Sequence, residues 1–196
     1  MTAPGTRRQA RPLLVVISGP SGSGKTTITK RLMARNGYWL SVSATTRPPR
    51  PGEVDGRDYL FMSREKFLEG VRQGGFLEYS EHFGHLYGTP RKPVDDALAK
   101  GKVALLEIDV NGARQARESL AGRVRTLLIF INAPSDQELR RRILQRPGTQ
   151  DDRVARERLA RAEMEIAQSR FFDHEVVNDD VEKAVRQVEK LIRESV

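Results

Sequence analysis

With 196 residues, 38% of them hydrophobic and 31% charged, the chain can bury one substantial core and is read as a single soluble globular unit. No window comes near the ~18 consecutive apolar residues of a membrane helix, and the lack of cysteine excludes a disulfide framework and thiolate chemistry. Lys and Arg number 34 against 26 Asp and Glu, a net charge of +8 that suits phosphate-bearing partners, whether nucleic acid or small molecules.

Residues 1–12 carry Arg7, Arg8 and Arg11 without an apolar run. They read as a basic disordered tail rather than a secretory signal, which agrees with residence in the cytoplasm. Leu13-Leu14-Val15-Val16-Ile17 then has the length of a strand buried on both faces, as in a parallel sheet. It delivers the chain to Gly19-Pro20-Ser21-Gly22-Ser23-Gly24-Lys25-Thr26, which reads G-x-x-x-x-G-K-[ST], a phosphate-binding loop. Backbone N–H groups that converge on one polyphosphate need glycine where a Cβ would block the approach or forbid positive φ. The helix predicted over 25–35 points its positive end at the same phosphates, Lys25 reaches the β and γ groups, and the Thr26 hydroxyl ligates Mg²⁺. Ile28, Leu32 and Met33 give that helix one apolar side, and Asn36-Gly37 ends it.

A short strand is predicted over 39–42. Residues 43–88 have a different texture, turn-rich and densely functionalised. Pro48, Pro49 and Pro51 prevent regular structure at the start of this segment and hold Arg47 and Arg50 in a fixed relation. Strands over 58–61, 76–79 and 85–87, with a helix capped by Ser63 and stopped at Gly74-Gly75, make a small mixed α/β insert, a candidate lobe for a second substrate. A helix over 90–100 precedes the strand 103–109, which ends in acid. Ligands of open parallel sheets sit beyond the carboxyl ends of the strands, so Asp109 falls where it can act on Mg²⁺, its waters or a substrate base. The alternative is a cap on the helix over 112–120, and the two roles are compatible.

A buried strand over 126–131 leads to two charged helices, 136–145 with Arg140, Arg141, Arg142 and Arg146, and 151–169 with Arg153, Arg156, Arg158 and Arg161. By composition these form a solvated helical hairpin; in a phosphoryl-transfer enzyme they are also the place for a lid whose arginines close over the transferred group. A strand over 174–177, Asn178 at the ligand edge and an amphipathic helix over 181–195 complete the chain. Two phosphate-handling devices with no aromatic-interleaved basic stripe favour nucleotide phosphates over nucleic acid.

Taken in order, Ser18 to Thr27, Ser43-Ala44-Thr45-Thr46-Arg47-Pro48-Pro49-Arg50 with Gly52-Glu53 and Gly56, Tyr59-Leu60-Phe61, Tyr87-Gly88-Thr89, Leu106-Glu107-Ile108-Asp109-Val110-Asn111-Gly112 and Val177-Asn178-Asp179-Asp180 resemble the guanylate kinase family. The resemblance implies an α/β fold of P-loop NTPase type, three-layered around a central parallel sheet. It assigns residues 13–42, 90–134 and 172–196 to the core, 43–89 to a GMP-binding lobe and 135–171 to a helical lid. It further implies phosphoryl transfer from ATP to GMP, and also to dGMP, in purine nucleotide metabolism and GMP recycling, with Mg²⁺ as cofactor and small molecules rather than nucleic acid or membrane as partners. Homo-oligomerisation stays open. ATP is then held by Gly19, Pro20, Ser21, Gly22, Ser23, Gly24, Lys25, Thr26 and Thr27, with Asn178 near its adenine. Ser43, Arg47, Arg50, Tyr59 and Tyr87 hold the GMP phosphate, whereas Glu78, Thr89 and Asp109 read guanine. Lys25, Arg47, Arg142, Arg146 and Arg158 serve the transfer, and Thr26 holds Mg²⁺, with Asp109 acting through water. The alternative within the resemblance is a guanylate-kinase-like scaffold module that binds protein partners without catalysis; the intact Lys25 and its glycines distinguish the enzyme.

Overall fold

The computed structural model describes residues 12–35, 37–145 and 151–196. Residues 1–11 of the tail expected over 1–12, the Asn36 stop signal, Arg146 and Pro147 lie outside the described residues. Strand β1 (Leu13–Ser18) runs into helix α1 (Lys25–Met33), followed by β2 (Tyr38–Leu40), β3 (Ala44–Thr45) and β4 (Leu60–Phe61). Helix α2 (Arg64–Arg72) leads to the hairpin β5 (Phe76–His82) and β6 (His85–Pro90), then to α3 (Arg91–Ala99), β7 (Val103–Glu107) and α4 (Val110–Ser119). The chain finishes with β8 (Arg125–Asn132), α5 (Asp136–Leu144), α6 (Asp152–Ala167), a short 3-10 turn at Ser169–Phe171, β9 (His174–Val177) and α7 (Val181–Ser195).

Five strands form a parallel sheet in the order β2-β7-β1-β8-β9. All six β1 side chains are buried because both faces of that sheet are covered. Leu13, Val15 and Ile17 pack with Ile28 and Leu32 of α1 and with Ala184, Val185, Val188 and Ile192 of α7. Leu14 and Val16 face the other way, toward Val94 and Leu98 of α3 and Val110, Ala113 and Ala116 of α4. Alternation along one strand thus builds the two core layers. At roughly 25 cal/mol per Å² of apolar surface, these layers dominate the stability of the fold. From β1 the chain passes to β2 and β7 on one side and then to β8 and β9 on the other, so the carboxyl end of β1 is a switch point of the sheet, where ligand sites form.

A second sheet has the order β4-β3-β6-β5, with β3 parallel to β4 and the other pairs antiparallel. It packs on α2 through Ala44, Phe67 and Leu86, and Phe67 stacks on Phe76 at a centroid distance of 4.3 Å. Its edge strand β5 packs Leu77 into the central layer, and Gln115 on α4 both accepts from the Tyr79 N–H at 3.1 Å and donates to the Tyr79 carbonyl at 2.9 Å. The amide takes the place of a neighbouring strand and closes that stretch of edge.

Several boundaries differ from the sequence reading. Ala44–Thr45 is a strand, not irregular loop, because the prolines that forbid ladder donation begin only at Pro48. The strand predicted over 58–61 shortens to Leu60–Phe61, with Asp58 instead accepting from the Val54 N–H at 2.9 Å. Strand β7 stops at Glu107, and Asp109 caps α4, its carboxylate accepting from the Gly112 N–H at 2.7 Å.

Candidate active site

The loop after β1 is shaped by positive-φ glycines and by what surrounds them. Gly19 has φ 139°, and a Cβ there would be driven into the backbone carbonyl of Ile131 on β8. Gly24, at φ 92°, could not carry a Cβ without striking the Asn178 side-chain amide. That amide donates to the Ser23 carbonyl at 2.7 Å, so the residue after β9 braces the loop from below. Helix α1 starts directly after Gly24 with no side-chain cap and no acid in its first turn. Its amino end is thereby suited to an anion. The Lys25 ammonium is held by the carbonyls of Gly19 and of Pro20, the latter at 2.9 Å.

Glu107, the last residue of β7, closes the other side of this site. It lies opposite Ile17 in the parallel register, and its two oxygens meet the Thr26 hydroxyl at 2.5 Å and the Thr29 hydroxyl at 2.7 Å. A hydroxyl and a carboxylate side by side are the hard oxygen donors that Mg²⁺ accepts alongside phosphate and water. The donor set fits the cation, with Glu107 rather than Asp109 as the carboxylate in contact with Thr26.

The opposite side of the site is built on the small sheet. The β5–β6 register sets Glu78 opposite Thr89, whose hydroxyl donates to Glu78 Oε1 at 2.6 Å. Burial is the leading cause that pushes the Glu78 carboxyl up to about 7; the Thr89 bonds oppose it and the Asp109 charge adds to it. Burial also pushes Asp109 upward, but His82, the Gly112 N–H and Arg161 outweigh it and hold that carboxyl below its usual range. Two neighbouring acids therefore sit on opposite sides of their ordinary titration, one ready to be neutral and one firmly ionised. Across the lobe, Arg47 grips Glu53 through two bonds of 2.9 and 2.8 Å and lies 5.4 Å from the centre of the Tyr59 ring. The Arg47 bonds hold Glu53 below the normal carboxylate range. Tyr59 and Tyr87 meet edge to face at 6.1 Å, and burial, with Tyr87 and Glu107 nearby, raises the Tyr59 phenol.

One cleft of about 1040 Å³ connects the two sides. Of the residues singled out in the sequence, Gly19, Ser21, Gly22, Gly24, Lys25, Thr26 and Thr27 line it on the loop side, and Ser43, Arg50, Tyr59, Glu78, Tyr87 and Asp109 elsewhere, together with Arg158 of α6. Arg47, Thr89, Arg142 and Asn178 do not line it. Arg142 donates to Glu138 at 2.7 Å and reaches the Asn178 carbonyl at 3.4 Å. Sequence reasoning misses Glu107, Glu53, His82 and Arg161 as site residues. A strand-terminal acid was the available signal for Glu107; nothing local distinguishes His82 or Arg161, which matter through contacts far along the chain.

The guanylate kinase family model matches residues 10–195. A guanylate kinase of Thermus thermophilus is 48% identical over 175 residues, covering 89% of this chain and 78% of that protein. One from Parasynechococcus marenigrum is 48% identical over 180 residues, 91% of this chain and 97% of the relative. Among solved structures, a guanylate kinase from Anaplasma phagocytophilum superposes with a TM-score of 0.76 at 34% identity, over 95% of this chain and 88% of the other. Sequence and three-dimensional agreement thus extend over the core, the small lobe and the arginine-bearing helices together, and the chain belongs to the guanylate kinase family.

Proposed function

We propose that this chain transfers the γ-phosphoryl group of ATP to GMP, giving ADP and GDP, and that it accepts dGMP as well. The observation that carries the proposal is the single cleft with a phosphate-binding loop at one end and the buried Glu78 beside Asp109 at the other. The loop supports an ATP site: glycine backbone around the phosphates, the Lys25 charge at the γ end and Thr26 with Glu107 to hold Mg²⁺. Bound there, Mg²⁺ would neutralise charge on the phosphate oxygens. The acceptor end supports guanine, whose N1–H and exocyclic amine donate to carboxylates, whereas adenine has no such pair of donors and would leave buried acceptors unpaired.

Phosphoryl transfer through a loose transition state asks for alignment and positive charge more than for a protein nucleophile. Lys25 and the arginines Arg47, Arg142, Arg146 and Arg158 are the groups we assign to it. Arg50, Ser43, Tyr59 and Tyr87 form the donor set for the GMP phosphate. We assign residues 43–89 to the acceptor lobe and 135–171 to a lid, and place the reaction in the cytoplasm, in purine nucleotide metabolism where GMP is recycled. The intact Lys25 disfavours a purely protein-binding role for the domain. A coupled assay of ADP formation with ATP, Mg²⁺ and a panel of GMP, dGMP, AMP, CMP and UMP tests the proposal. Turnover confined to GMP and dGMP is expected, and equal turnover with AMP overturns the assignment of the acceptor end.

A further inference from the structure

Arg161 on α6 joins elements far apart in sequence. Its Nε donates to Glu165 Oε1 at 2.9 Å, one helical turn along, which fixes the plane of the guanidinium. The outer nitrogen reaches Asp109 Oδ2 at 3.2 Å, on the cap of α4, and lies 3.0 Å from His82 Nε2 on β5. The guanidinium carbon is also 5.9 Å from the ring centre of Phe83, which turns the β5–β6 hairpin with φ 52°. One side chain of α6 thereby touches both the small sheet and the central layer. The carboxylates of Asp109 and Glu165 each keep only 12% of their side-chain surface exposed, so the pairs are screened less than surface ion pairs.

Counting acceptors on Asp109 shows that this junction leaves room for a ligand. A carboxylate offers about four lone-pair sites. Oδ1 takes the Gly112 N–H, while Oδ2 takes Arg161 and His82, the latter at 2.6 Å. One site on Oδ1 remains for a donor from the cleft that Asp109 lines. Docking of α6 and reading of a base therefore need not compete, and both depend on the same carboxylate being held still. Arg158 lies three residues before Arg161 on α6, on the same face, and lines the same cleft.

We infer that Arg161 is a positioning residue. By docking on Asp109, whose Oδ2 also takes the His82 Nε2–H, it holds α6 against the β5–β6 hairpin, and this sets the place from which Arg158 reaches the transferred phosphoryl group. Arg161 itself is engaged by two carboxylates, which leaves its charge compensated and unsuited to clamping phosphate. The role of Arg158 in this inference rests on the function proposed above; the docking itself does not.

Two measurements on Arg161→Met, Arg161→Lys and His82→Val test it. The chain has no cysteine, so Lys66→Cys on α2 and Ala160→Cys on α6, both exposed positions, accept spin labels without background. In the ligand-free protein the inter-label distance should be a single short population, lengthened and broadened by Arg161→Met and, to a smaller extent, by His82→Val. In steady-state assays Arg161→Met should lower kcat about 10- to 100-fold, as misplacement of a catalytic group does, with KM for ATP and GMP within about threefold, and Arg161→Lys should recover part of kcat. An unchanged distance distribution in Arg161→Met overturns the inference, as does a rise in KM for GMP at constant kcat, which would make Arg161 a substrate ligand. The distance experiment needs no turnover. An unmutated enzyme that fails to phosphorylate GMP would refute the proposed reaction while leaving the docking to be judged on its own.

Discussion

Replacing Glu78 with Gln tests how the acceptor end is built, because the native carboxyl is 4% exposed and titrates at about 7 instead of 4.5. A folded value above the unfolded one means that the folded state prefers the protonated acid. The stability this contributes is complete below about pH 4.5 and is lost as pH rises through about 7. Converted at 1.36 kcal/mol per tenfold, the gap amounts to about 3 kcal/mol, of which about 2 kcal/mol develops between pH 5 and 8. Gln keeps the shape and still accepts from the Thr89 hydroxyl, but it has no charge to bury. Glu78→Gln should therefore melt higher than the parent at pH 8, and the difference between the two should grow by about 4–8 °C from pH 5 to pH 8 for a chain of this size. Thermal melts of both proteins at the two pH values provide the measurement, and groups common to both cancel in the difference. A melting difference that does not change with pH refutes the buried-acid account. The same linkage predicts weaker binding below neutrality: guanine donors select the ionised acid, so Kd for GMP should rise by up to about tenfold per pH unit below 7, more steeply in the parent than in the variant.

Three further outcomes follow from the donor end. Lys25→Met should lower kcat at least ~100-fold, the scale of losing one preorganised charge-stabilising group, while GMP affinity by calorimetry stays within about threefold. Gly19→Ala would force a Cβ against the Ile131 backbone at φ 139°. It should destabilise the fold by more than about 2 kcal/mol in urea denaturation, and more than Gly24→Ala, whose obstruction is the side chain of Asn178. Glu107→Gln should shift the Mg²⁺ concentration for half-maximal activity upward by about tenfold, on the scale seen for changes around metal ligands, with little change in KM for GMP; an unchanged Mg²⁺ profile would remove Glu107 from the cation site.

The central layers are legible because their signals are local. The unbroken run Leu13 to Ile17 can be satisfied only by a strand covered on both faces, and the Ala184, Val185, Val188, Ile192 spacing only by a helix with one buried side. The phosphate loop is legible for the same reason, since its glycines meet a steric demand that few sequences imitate. What escapes is whatever depends on long-range pairing. Ala44–Thr45 becomes a strand only because β6 and β4 lie on either side of it, and a two-residue segment has no periodicity of its own. His82 has no sequence signature as a partner of Asp109, 27 positions away and on another sheet's neighbour helix. Arg161 is indistinguishable by composition from Arg153 or Arg156 on the same helix, and only the packing of α6 against the hairpin singles it out.

The acids at the end of β7 show how two residues separated by a single position come to serve opposite ends of one cleft. In a continuing strand, Glu107 and Asp109 would point to the same face. The strand instead ends after Glu107, and the turn into α4 makes Asp109 the cap of that helix, with its carboxylate drawn toward the Gly112 N–H. Glu107 stays level with the carboxyl end of β1 and bonds Thr26 and Thr29 of the donor site; Asp109 is carried toward Glu78, His82 and Arg161 on the acceptor side. In the proposed reaction, this helix cap is the feature that divides cation-side from base-side chemistry. Removing the cap with Asp109→Ala would cost about 1 kcal/mol for the helix end. It would also strip Arg161 and His82 of their shared acceptor, so its effect on turnover should exceed that of Glu78→Gln even when both variants are fully folded.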